Sequence, residues 1–250
     1  MTPSFRQRLK SGERLLGTLI SLNSSEVAEM LASLGFDWFF LDNEHSPLEA
    51  LELQGIMRAA GSTPCIVRVS HSAEVPIKKA LDSGAAGIIA PMVNSAEQAA
   101  QVVSWAKYPP VGTRGVGIGR AHGYGLKFQE YVARANDEVA VIVQCEHIDA
   151  VNDIDRIVRV PGVDAVLIGP YDLSASMGRL GQVTQPEVVA AIDRVTAACR
   201  AANVPLGIFG LSAQAVQPYI ERGYTLIVAG VDTVLLGQAA AQLLAHLKAS

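Results

Sequence analysis

Eight short β-rich runs alternate with longer segments of helical periodicity along the whole chain, and this rhythm limits the possible folds more than any single motif. The runs cover residues 15–21, 37–42, 64–69, 87–92, 139–146, 164–169, 204–209 and 225–230. Helical patterns lie between and after them at 24–35, 47–61, 75–85, 95–107, 147–160, 186–203, 212–223 and 231–249. Several of these open on Ser or Asp and close on Gly or Asn, as helix termini prefer. A strand followed by a helix, repeated eight times, predicts a (β/α)8 TIM barrel; a doubly wound open sheet is the weaker alternative. No linker, charge block or low-complexity stretch interrupts the pattern, so residues 1–250 read as one barrel domain.

Composition narrows the function classes. With half its residues hydrophobic and 18% charged, the chain can bury a large core without a structural metal or disulfide. The net charge of −4 is spread without long runs, which argues against nucleic acid and against an anionic membrane surface as partners. No apolar run approaches the roughly 18 residues of a membrane span, and the basic N-terminus lacks a following apolar region, so a cytoplasmic protein is expected. Cys65, Cys145 and Cys199 stand far apart in apolar contexts and read as buried reduced thiols. The one long connection, 108–127, holds six glycines; its "GVGIGR" neither follows a strand nor visibly opens a helix, against a nucleotide phosphate loop.

In a barrel, chemistry gathers at the C-terminal ends of the strands. The second run, "FFLD", continues into Asn43, Glu44 and His45; the third carries Arg68; the fifth ends in Gln144 and Glu146; the sixth runs into Gly169, Pro170, Tyr171 and Asp172. Taken singly, a Glu or Asp past a strand often caps the next helix, and a lone His is often a turn residue. Arg68 is harder to dismiss, because a guanidinium within "CIVRVS" must find anions in or above the core. Glu146 and Asp172 arise from adjacent strands and can share a hard divalent cation, with waters completing an octahedron; Mg2+ or Mn2+ suits two carboxylates better than zinc. None of the six lysines falls in a predicted strand, which argues against imine chemistry, and no G-x-S-x-G elbow is present. What remains suits proton removal or return beside a carbonyl: a cation and Arg68 hold the enolate oxygen, while His45, oriented by Asp42, handles protons.

The stretches "DNEHSPLE", "GTRGVG", "VQCEH" and "GVDAVLIGPYDLSASMG" resemble, in order and spacing along nearly the whole chain, the HpcH/HpaI family of class II pyruvate aldolases. The resemblance implies a barrel of the phosphoenolpyruvate/pyruvate type that cleaves 4-hydroxy-2-oxo acids to pyruvate, or a 2-oxo acid such as hydroxypyruvate, and an aldehyde. It implies Glu146 and Asp172 as ligands of Mg2+ or Mn2+, with Co2+ also possible, and His45, Arg68, Asp42 and Asp82 as catalytic residues. Gln144, Gly169, Pro170, Tyr171, Asp172 and Leu211 would bind substrate. By the same analogy the C-terminal helix exchanges between protomers of a hexamer, and Asp82 reaches a neighbouring pocket. On sequence alone "LDSG" is a helix ending in polar residues.

The chain departs from the family pattern where Asn43 and Tyr171 replace the usual Gly and Ala; Asn43 tolerates a left-handed turn. Two other readings use the same site or fold: a CoA-thioester lyase or oxaloacetate-type decarboxylase, with Arg114 and Arg120 as the only hint of a pyrophosphate groove, and a non-catalytic binding protein.

Overall fold

The computed structural model describes residues 3–249. Its eight strands close into a parallel barrel in chain order, with β8 returning to pair with β1. They are β1 (Leu15–Ile20), β2 (Trp38–Asp42), β3 (Cys65–Arg68), β4 (Gly87–Ala90), β5 (Ala140–Cys145), β6 (Ala165–Ile168), β7 (Leu206–Gly210) and β8 (Leu226–Val231). The helices are α1 (Phe5–Lys10), α2 (Ser25–Ser33), α3 (Ala50–Ala59), α4 (Glu74–Asp82), α5 (Ala96–Ala106), α6 (Phe128–Glu138), α7 (Ile148–Asn152), α8 (Ile154–Ile157), α9 (Pro170–Ser176), α10 (Pro186–Ala201), α11 (Ala213–Glu221) and α12 (Asp232–Ala249). Each expected strand is present, and the open-sheet alternative falls because β1 and β8 are hydrogen-bonded.

Alternation along each strand divides the apolar residues into two cores. One face packs on the helices; the other turns inward, where Leu19, Trp38, Phe40, Ile66, Ile89, Ile142, Leu167 and Val228 fill the barrel. Phe5 and Leu9 of α1 join this inner cluster, and the Phe5 ring lies 5.7 Å from that of Trp38, so α1 belongs to the barrel's interior packing. Gly17 is required there: a Cβ would meet the Trp38 indole at 2.5 Å.

The differences from the expected pattern lie outside the strands. The expected loop at 108–127 contains a 3-10 turn, Arg120–Gly125, broken by left-handed Gly123 and Tyr124, and α6 follows it. Helix α6 buries only Ala135 completely, so its apolar signal is faint, and α1 has only two core residues. The expected helix 147–160 divides at Asp153, whose carboxylate accepts the N–H of Ala96 at 2.8 Å. Asn43 does not take a left-handed conformation; its side-chain amide donates to the carbonyl of Leu48. Among the described residues no helix is long and apolar enough to cross a membrane.

Candidate active site

The period that sends Trp38 and Phe40 inward also sends Asp42 inward at the top of β2, and Arg68 stands opposite it in the β2–β3 register. The guanidinium grips the carboxylate with both arms, Nε to Oδ1 at 3.0 Å and Nη2 to Oδ2 at 2.8 Å. Asp42 Oδ1 also accepts the backbone N–H groups of Glu44 (3.0 Å) and His45 (3.3 Å), which fixes the turn after β2. Asp42 therefore holds the backbone of His45; the expectation that it orients the imidazole is corrected. The ring is two-thirds exposed at the mouth, and its Nε2 lies 3.9 Å from Glu44 Oε2.

Glu44, for which the sequence alone suggests no role, completes this corner. Its Oε2 lies 3.1 Å from Arg68 Nη1, yet no hydrogen-bond donor is aimed at it. Burial pushes its pKa up, with the negative charges of Asp42 and Asp172 adding and Arg68 and His45 opposing. The Arg68 guanidinium also rests 5.2 Å from the centre of the Phe40 ring.

Glu146, just past β5, is buried and doubly held. Its Oε1 accepts the N–H of Met92 at 2.7 Å, and its Oε2 accepts from Gln144 Nε2. Burial pushes this carboxyl up to about 7, reinforced by the charges of Glu44 and Asp172 and opposed by the Met92 and Gln144 donors. Met92 makes its contact from a left-handed backbone, φ 52°, uncommon for a side chain of this kind and without a signature in sequence. Asp172 sits in the first turn of α9, exposed at the cavity rim.

The donor set suits a hard cation. Carboxylates converge at Glu146 and Asp172; Gln144 Oε1 and Glu44 Oε2 are buried oxygens without hydrogen-bond partners. A Cβ on Gly169 would come within 3.1–3.2 Å of Glu146 and Gln144, so glycine keeps this pocket open. No cluster of three or more His, Cys, Asp or Glu groups suited to a metal occurs among the described residues, so a cation here would keep part of its water shell.

Beside these groups lies a cavity of about 330 Å3, while Glu44 lines a separate, neighbouring one. Asp42, His45, Arg68, Gln144, Gly169, Pro170, Tyr171 and Asp172 line the first, and Glu146 lies behind Gln144 and Gly169. The opposite wall is Leu19, Ser21, Phe209 and Val231. Leu211, past the end of β7, is not in the lining and is partly exposed; Phe209, two residues earlier and on the strand, is in it. Nor does the chain bring Asp82 to its own cavity: at the end of α4 it accepts from Arg114 Nη2 at 2.7 Å. No lysine lines the cavity. Burial brings Lys107 down to about 8, but its ammonium donates to the carbonyls of Asn136 and Val139, before β5.

Residues 16–239 match the family model described as HpcH/HpaI aldolase/citrate lyase. The chain is 39% identical over 250 residues to the 4-hydroxy-2-oxo-heptane-1,7-dioate aldolase of Shigella sonnei, covering 98% of this chain and 95% of that relative. It is 39% identical over 244 residues to the 2-dehydro-3,6-dideoxy-6-sulfogluconate aldolase of Pseudomonas putida, covering 96% and 95%. The crystal structure of an HpcH/HpaI aldolase/citrate lyase family protein from Burkholderia cenocepacia superposes with a TM-score of 0.93 at 37% identity, covering 97% of this chain and 98% of that one. A barrel whose polar rim is built from the motifs that carry the resemblance, matched nearly end to end by named aldolases, leaves one assignment: the chain belongs to the HpcH/HpaI aldolase/citrate lyase family and is a carbon–carbon lyase.

Proposed function

We propose that the protein is a divalent-metal-dependent class II aldolase, reversibly cleaving a 4-hydroxy-2-oxo acid to pyruvate, or a related 2-oxo acid such as hydroxypyruvate, and an aldehyde. The observation that carries this reading is the convergence of Glu146, Asp172, Gln144, Arg68 and His45 about one cavity. Glu146 and Asp172 would hold the cation, Mg2+ or Mn2+ by their oxygen chemistry, and the bound cation would supply Lewis acidity toward the 2-oxo acid. Arg68, kept rigid by Asp42, offers positive charge to the oxygen on which negative charge develops. Gln144 and the first turn of α9 orient the carboxylate, and Gly169 leaves the space for it. His45, at the wet mouth, moves the proton of the aldol hydroxyl, directly or through a water.

The reading extends to assembly. Helix α12 buries only Asp232, while Leu235, Leu236, Leu243, Leu244 and Leu247 stand exposed. An apolar helix left uncovered by its own chain supports exchange between copies in a hexamer, with Asp82 delivered to a neighbouring mouth. The CoA-lyase reading gains no such support, because Arg114 is engaged by Asp82 and Tyr131, and Arg120 by the carbonyls of Ser83 and Met57.

Proton NMR of pyruvate in D2O tests the proposal without knowledge of the aldehyde. The methyl signal is expected to disappear with protein and Mg2+ and to persist with excess EDTA. Exchange unaffected by the chelator would remove the cation from Glu146 and Asp172.

A further inference from the structure

One peptide plane connects the loop after β3 to Glu146. The β3–β4 ladder ends where the Val69 N–H donates to the carbonyl of Ile89 at 3.1 Å, and both segments then leave the sheet. Beyond it the Ser72 hydroxyl donates to the Pro91 carbonyl at 2.6 Å, and the Met92 N–H donates to Glu146 Oε1 at 2.7 Å. That carbonyl and that N–H belong to the same peptide unit. In a planar trans unit they point in opposite directions, so a donor that fixes the carbonyl aims the N–H.

The orientation is not the one Met92 favours. Its φ of 52° lies in the left-handed region, uncommon for a side chain without a short polar group. Rotating the 91–92 plane by half a turn would return φ to the extended region, but it would take the N–H away from Glu146 and the carbonyl away from Ser72. The flanking residues have little freedom: Pro91 has its own φ locked, Val93 is buried in the helix-facing core, and the Asn94 N–H is held by Gln98 Oε1 at 2.6 Å. The Met92 side chain is nearly half exposed and supplies no comparable anchor. Two hydrogen bonds at opposite ends of the plane therefore hold a conformation that its own residue disfavours. They also reinforce one another, because a hydroxyl that polarises the carbonyl makes the N–H a better donor to the carboxylate.

We infer that Ser72 is a positioning residue for the cation site: its hydroxyl keeps the Pro91–Met92 plane turned so that the Met92 N–H fixes Glu146. The inference rests on Glu146 as a cation ligand, so its test reports on both. Mn2+ affinity is measured by electron paramagnetic resonance at one pH for the wild type, Glu146→Ala, Ser72→Ala, Met92→Gly and the double variant Ser72→Ala/Met92→Gly, each checked for a native thermal transition. Glycine adopts the left-handed conformation freely and keeps the N–H, so it removes the reason for the plane to turn.

Ser72→Ala is expected to weaken Mn2+ binding about tenfold, the lower end of what losing a group behind a metal ligand costs. In the Met92→Gly background the same substitution is expected to cost about threefold or less, a difference that only coupling between Ser72 and Met92 produces. Ser72→Cys, close in size and a much weaker donor, replaces Ser72→Ala if that variant lacks a native transition. Unchanged affinity in Ser72→Ala, or the same loss in both backgrounds, would overturn the inference and leave Glu146 as a ligand. A wild type that binds no Mn2+, or Glu146→Ala that binds it equally well, would overturn the metal reading and the inference with it.

Discussion

Two buried arginines invite comparison. Arg68 at the barrel mouth and Arg114 on the flank each present a guanidinium to a carboxylate and to an aromatic face: Asp42 and Phe40 for the first, Asp82, Tyr108 and Tyr131 for the second. Arg114 is the more enclosed, with its ring partners at 4.5 and 5.5 Å, and a single carboxylate, Asp82, balances it. Arg68 faces Asp42 and Glu44 together, with Glu146 contributing to the same field, and beside it lies an open cavity. A buried ion pair with an aromatic neighbour is therefore not the mark of an active site. The distinguishing features here are an excess of carboxylate over cation, oxygens with no donor, and space for a ligand.

The comparison can be broken by truncating each arginine. Arg114→Ala leaves Asp82 unpaired and two rings without their filler, and is expected to cost about 3–5 kcal/mol in urea unfolding. Arg68→Ala is expected to lower kcat/KM about 10²–10³-fold. It should cost less stability than Arg114→Ala, because water from the cavity can reach Asp42. Equal losses of stability, or unimpaired turnover in Arg68→Ala, would make the two sites physically alike.

A smaller change sharpens the flank. The N–H of Gly119 donates to His122 Nδ1 at 3.3 Å, so in the neutral ring Nε2 carries the proton and donates to Tyr108 Oη at 3.0 Å. Burial lowers the pKa of His122 and keeps it neutral. Tyr108→Phe strands that donor inside the protein and should cost about 1–3 kcal/mol of stability, measured by thermal unfolding. Turnover per folded molecule should not change if this cluster is structural.

The gentlest test concerns the mouth alone. Glu146, pushed up to about 7 from an ordinary 4.5, is protonated in the metal-free protein below that pH. A raised carboxyl stabilises the folded state at pH values below 4.5, and this contribution is lost as pH rises through about 7. A cation competing with that proton should bind about tenfold more tightly per pH unit up to about 7, and then level off. Mn2+ titrations followed by electron paramagnetic resonance across this range check the slope; a flat profile would mean that Glu146 is not a ligand.

Much of the fold was legible because the strands are apolar, short and regularly spaced, so the period carries the architecture. Asp42, His45, Arg68, Gln144 and the Gly169–Asp172 turn were legible because polar and ionisable groups end apolar strands there. Glu44 was visible in "DNEHS" but had no role until its distance from Arg68 was known. Met92 carried no signal, since its left-handed backbone is imposed by surroundings that its side chain does not encode. Leu211 was placed in the site by the resemblance; it falls past the end of β7, whereas Phe209, still on the strand, lines the cavity.

By itself the sequence determined the eightfold strand–helix rhythm, and which strand ends would be charged, because both follow from local periodicity and side-chain chemistry. Only the tertiary structure decided which charges meet. It paired Asp42 with Arg68 instead of the imidazole, sent Asp82 to Arg114, and turned Ser21 toward Asp232 across the β1–β8 seam. Those choices depend on register, barrel closure and burial, which arise only when distant segments pack.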